Sequence, residues 1–145
     1  MKSLVILTYL LLCMPPNEEG CIHLEKCEQI SHAVKSGAVP GIQMIYDFIV
    51  LKPLKDNAEY SEWRSELLFE LFSLFPEETI SAVTKLKRCD RLLFYQELLH
   101  PTHDGIDIDQ IYAQLSAESY SPGKRKRVLK EILTVLKPLT CYAAY

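Results

Sequence analysis

Residues 60–75 read YSEWRSELLFELFSLF. Trp63, Leu67, Leu71 and Leu74 recur at helical spacing, Leu68 and Phe72 widen the stripe, and Glu62, Glu66 and Glu70 fall on the opposite side. That pattern predicts an amphipathic helix with one face in a core. Asp56 with Glu59 three residues later makes a capping box before it. Pro76, followed by Glu77 and Glu78, opens the next helix, because proline's missing N–H costs nothing in a first turn and carboxylates suit the positive end of the dipole.

Working outward, the same spacing recurs. Toward the C-terminus, Ile80, Val83 and Leu86 turn inward, and the run is expected to continue through Leu92, Leu93, Leu98 and Leu99, with a kink near Cys89, to a break at His100-Pro101. Ile108, Ile111, Tyr112 and Leu115 predict a short helix, and Val128, Leu129, Ile132, Leu133 and Leu136 another, opened by Ser121-Pro122-Gly123 and closed by Pro138. Toward the N-terminus, Ile22, Leu24, Cys27, Ile30 and Val34 predict a helix over 21–35, ended by Gly37. The run Ile42 to Leu51 is almost wholly apolar, so its period does not separate buried helix from buried strand; its helical company favours helix. The expectation is an all-α, compact bundle of six or seven short helices in a single helical domain over residues 1–145.

At 145 residues, with 48% hydrophobic and 24% charged residues, the chain has enough apolar material to fill and cover a core. A net charge of −3 excludes a globally basic nucleic-acid binder. Lys2 and the apolar run Leu4 to Met14, broken only by Thr8 and followed by Pro15-Pro16, have the shape of a secretory signal and are too short for a membrane anchor. The same residues read equally as a first helix, with 21–145 as the helical core, so cytoplasmic and secreted locations stand side by side. In the secreted case removal of Cys13 leaves Cys21, Cys27, Cys89 and Cys141 as disulfide candidates; in the other they are small hydrophobes and free thiols.

Chemistry-bearing motifs are sparse. His100, His103 and Asp104 share one tight loop, but three ligands on a short turn do not converge as a zinc site, and Asp104 to Asp109 lacks the acids and closing glutamate of a calcium loop. The segment reads as a turn that starts a helix, with no metal and no cofactor. The sequence has no nucleophile elbow, zinc-protease helix, Walker loop or dinucleotide fingerprint, which points away from an enzyme and leaves no catalytic residue to nominate.

Charge is the more informative feature. From Lys124 to Lys137 there are six basic residues against one acid, while Asp104 to Glu118 holds four acids and no base. Lys124, Arg125, Lys126 and Arg127 crowd a helix N-terminus, where the dipole disfavours cations. An acidic partner surface, a phosphate-bearing ligand, an import signal or a proprotein-convertase site would each use them; a solvated helix end with covering lysine and arginine stems is the plain alternative.

Two segments carry a family resemblance. Ser65 to Leu71 (SELLFEL) resembles the Leu-rich fifth helix of death effector domains, and Arg88-Cys89-Asp90-Arg91-Leu92-Leu93 resembles that family's Arg-x-Asp-Leu-Leu signature with one residue inserted. The resemblance spans residues 3 to about 99, with Leu4 to Cys13 as the first helix, Glu19 to Ala33 as the second, and Ile42 to Leu51 followed by Trp63 to Phe72 as the later pair. It implies homotypic assembly in apoptotic or inflammatory signalling, with Arg88 and Asp90 as a surface charge pair that docks a partner. The function expected is a non-enzymatic helical protein-protein interaction module, binding another protein such as a helical domain with an acidic surface through Arg88, Asp90, Lys124, Arg125, Lys126 and Arg127. The alternative is a secreted, disulfide-stabilised ligand, carrier or effector.

Overall fold

Seven α-helices fill the residues that the computed structural model describes, 18–51, 57–102 and 104–141: α1 (Glu18–Ser36), α2 (Ile42–Val50), α3 (Ala58–Leu74), α4 (Pro76–Lys85), α5 (Arg88–Leu98), α6 (Ile108–Ser116) and α7 (Lys124–Leu136), followed by a 3-10 turn over Lys137–Leu139. No strand occurs among the described residues. The expected all-α bundle is the observed architecture. The segment Leu4 to Met14, Cys13, Asp56 and His103 lie outside the described residues.

α3 packs on α1, α4 and α6, and α4 in turn packs on α2 and α7. The α3 sequence has no β-branched residue and no internal Gly or Pro, and its Ala58, Glu59, Glu62, Leu67, Leu68 and Leu71 are strong helix formers. Asn57 caps it, the side chain accepting a hydrogen bond from the Tyr60 N–H at 2.9 Å. At its other end Phe75 leaves helical geometry and Pro76 begins α4. The buried Thr79 hydroxyl shares its proton between the carbonyls of Phe75 (2.6 Å) and Leu71 (3.1 Å), which also accept the N–H groups of Thr79 and Phe75, so the hydroxyl is satisfied inside the corner.

Because neighbours wrap α3 on several sides, its buried surface is broader and rotated from the expected stripe. Tyr60, Arg64, Ser65, Leu67, Leu68, Phe69, Leu71 and Phe72 are buried, whereas Leu74 is 52% exposed and Trp63 only partly covered. Each fully buried Leu or Phe contributes about 1.5–3 kcal/mol. They join Ile30, Ile45, Phe48, Ile80, Val83, Phe94, Leu98, Leu115, Val128, Ile132 and Leu136 in one hydrophobic cluster.

Arg64 is the largest of the fully buried side chains, at 1% exposure. Its Nε and Nη2 donate to the two carboxylate oxygens of Glu97 on α5, at 2.6 and 3.1 Å. Nη1 and Nη2 also donate to the carbonyls of Phe48 (2.8 Å) and Ile49 (3.2 Å) in the last turn of α2. The guanidinium lies 4.8 Å from the Phe48 ring centre. A cation thus meets the negative end of the α2 dipole and a bidentate carboxylate at once. Burial alone would pull its proton off more easily, but the Glu97 carboxylate and its hydrogen bonds outweigh that and hold the charge above its ordinary range.

Four expectations are corrected. The single run from Ile80 to Leu99 is two helices, because Leu86 and Lys87 adopt extended backbone between α4 and α5. Leu92 and Leu93 face outward, since the inner arc of α5 is already supplied by Phe94, Tyr95 and Leu98. Ile22 is 46% exposed on α1. The cap of α3 is Asn57 rather than Asp56. The ambiguous run at Ile42 is helix, with Ile45, Phe48 and Ile49 buried and Gly41 at its N-cap. α1 ends at Gly37, whose φ of +67° supplies the left-handed residue of a helix stop.

Arg64→Ala leaves Glu97 and two carbonyls without their donor, and should lower stability by about 3–5 kcal/mol in urea unfolding at neutral pH. Asn57→Ala should cost about 1 kcal/mol in the same assay, the loss of one cap.

Candidate functional site

α5 touches the bundle along two edges, against α2 and against α7. Helical geometry sets which residues serve each edge: Arg88, Arg91, Leu92 and Tyr95 follow i, i+3, i+4, i+7 spacing and look toward α7. On α7, Arg127, Lys130, Glu131 and Thr134 repeat that spacing and, with Val135, face back. Val128, Leu129, Ile132 and Leu136 on the opposite side anchor α7 in the core. Between the helices lies a surface cleft of about 460 Å3.

Glu131 organises the cleft. Its Oε2 accepts a 2.6 Å hydrogen bond from the Tyr95 hydroxyl and lies 3.3 Å from Arg91 Nε, while Oε1 is 4.0 Å from Arg127 Nε. Burial, reinforced by the Glu131 carboxylate, pushes the Tyr95 hydroxyl well above its ordinary range, so it stays a donor. Four cations and one carboxylate thus line the cleft, and that carboxylate is already engaged by Arg91 and, more distantly, by Arg127. Arg88 and Lys130 have no ion pair among the described residues. Leu92, 53% exposed, lines the same cleft, and with the partly buried Val135 and the buried Tyr95 it supplies the apolar part of the lining.

The six nominated partner-binding residues do not form one patch. Arg88 and Arg127 meet at the α5–α7 cleft. Asp90 lines a smaller groove on the other edge of α5 with Ile49, Val50, Leu51, Leu93, Phe94 and Glu97. Two helical positions are about 200° apart around the axis, so Arg88 and Asp90 serve opposite flanks. Arg125 ties the start of α7 to α4 through Glu77 at 3.2 Å and stacks 4.7 Å from the Tyr120 ring centre. Lys124 and Lys126 are exposed outside the α5–α7 cleft. Arg91, Lys130, Glu131, Leu92, Tyr95 and Val135 are not among the residues the sequence nominates; the available signal is the matched spacing of Arg88 and Arg91 on α5 with Arg127 and Lys130 on α7.

The four disulfide candidates are free thiols in this structure, Cys27 buried and Cys21, Cys89 and Cys141 exposed. Cys27 sits beside the Tyr60 hydroxyl, which also shares a 3.1 Å hydrogen bond with His23 Nδ1. Among the described residues no three His, Cys, Asp or Glu side chains converge as metal ligands, and no helix is long and apolar enough to cross a membrane. Comparison with protein families, curated proteins and solved structures finds no match to the chain.

Burial pushes the Cys27 thiol up to about 11 from an ordinary 9.0. Its folded-state value lies above its unfolded one, so its contribution to stability is complete below about pH 9 and is lost as pH rises toward about 11. Peptide-mapped alkylation at pH 8 should modify Cys21 and Cys89 rapidly, Cys141 more slowly because the hydrogen bond and charge of Asp109 raise its thiol, and Cys27 only on unfolding.

Proposed function

We propose that the chain is a non-enzymatic helical protein-interaction module whose docking surface is the α5–α7 cleft, and that its partner is a helical domain with an acidic surface. One observation carries this reading: cations from two helices rim an apolar floor on which Leu92 is exposed, with the cleft's single carboxylate already occupied by Arg91 and Tyr95. A hydrophobic centre with a charged rim is the arrangement that protein interfaces use, the centre supplying affinity and the rim orientation and rate. Arginine and tyrosine are also the residue types that dominate interface energetics. The resemblance of Arg88 to Leu93 to the death effector signature makes helical signalling domains the first partner class to test.

Charge reversal tests the reading without touching the core, since Arg88 and Arg127 are both exposed. In quantitative affinity capture from cell extract, Arg88→Glu with Arg127→Glu should deplete specific interactors about tenfold or more, while helicity and melting temperature are retained. An unchanged interactor set with the fold intact would exclude this cleft as the docking surface.

A further inference from the structure

We infer that the α5–α7 cleft takes an acidic amphipathic helix of about two turns, laid with a leucine-type anchor on Leu92 and Val135 and its carboxylates on Arg88, Arg127 and Lys130. This rests on the docking reading above and specifies the occupant's chemistry. Length comes first. The cleft is lined from Arg88 to Tyr95 on one side and from Arg127 to Val135 on the other. At 1.5 Å per residue these stretches are roughly 10–12 Å long, the span of two helical turns.

Backbone chemistry selects the conformation. The cleft is walled by two helices and has no strand edge, so an extended peptide would find no ladder for its own N–H and C=O groups, whereas a helix brings those bonds with it. Side chains select the sequence class. Arg88 and Lys130 have no ion pair among the described residues, and Arg127 reaches Glu131 only at 4.0 Å, so three cations remain available at the rim. A polyanion such as nucleic acid would meet those cations but leave Leu92 and Val135 facing water or phosphate. A helix with glutamates flanking leucines covers both, and alternates charge and apolar groups at the same i, i+3, i+4, i+7 spacing as the walls.

Fluorescence anisotropy of the full chain with a labelled acidic Leu/Glu amphipathic helix tests this directly. Expected are saturable binding, at least a tenfold loss with Arg88→Glu/Arg127→Glu, and a several-fold loss with Leu92→Ser. Raising salt from about 0.05 to about 0.5 M should also weaken binding several-fold. Lys124→Glu/Lys126→Glu, the same charge change outside the cleft, should retain most of the affinity. Circular dichroism must show each variant folded, and a fold-neutral Lys130→Glu replaces any that is not.

The inference is overturned if the Lys-for-Glu peptide binds as well as the acidic one, if the Lys124/Lys126 reversal is as damaging as the cleft reversal, or if an oligonucleotide outcompetes the peptide from the cleft. Binding of an uncharged Leu-rich helix in preference, still lost with Leu92→Ser, would reject the acidic occupant and leave the docking cleft standing. Absence of binding by any helix, together with an interactor set indifferent to Arg88→Glu/Arg127→Glu, would reject both.

Discussion

The Arg64 guanidinium is the constraint on which the arrangement of helices depends. It projects from α3, donates to the last carbonyls of α2 and grips both oxygens of Glu97 on α5. A buried cation is tolerable only when every direction around it offers an acceptor, so the three helices are held in one mutual geometry. The Phe48 ring covers one face of the cation and contributes to the apolar cluster with the other.

Fixing Glu97 fixes the roll of α5. With Glu97 turned to Arg64, and Phe94, Tyr95 and Leu98 in the core, the helix presents Arg88, Arg91 and Leu92 on the edge facing α7. Glu131 then completes the cross-link from α7, accepting from Tyr95 beside Arg91. The cleft is therefore a consequence of core packing: its floor hangs on a tyrosine whose ring is core and whose hydroxyl is surface, and its rim is what the core leaves over. Such a preformed site loses less entropy on binding than one assembled from loops.

Much of this was legible in the sequence. Periodic Leu and Phe over 60–75, Pro76 in a first turn, and the apolar spacings over 108–115 and 128–136 each place a helix where one is found. The failures have local causes. Arg64 falls inside the apolar stripe, three, four and seven residues before Leu67, Leu68 and Leu71, but what makes its burial tolerable is a partner 33 residues away and two carbonyls that no side-chain pattern displays. Leu74, Leu92 and Leu93 look like core by type, but the covering helices approach from other sides. At the site, Arg88 and Arg127 were recognisable as cations wanting a counter-charge, whereas Asp90 and Arg125 belong to other surfaces because helical phase and the Glu77 contact direct them away. A cleft between helices distant in sequence is legible only once both phases are known.

Amide chemical-shift mapping of the labelled protein, titrated with the acidic amphipathic helix, tests the central claim most directly. The account predicts perturbations concentrated at residues 88–95 and 127–135, with α1 and the groove beside Asp90 and Leu93 left unchanged. Shifts centred on that second groove, or spread over the basic turn at Lys124 and Lys126 without the α5 wall, would contradict it.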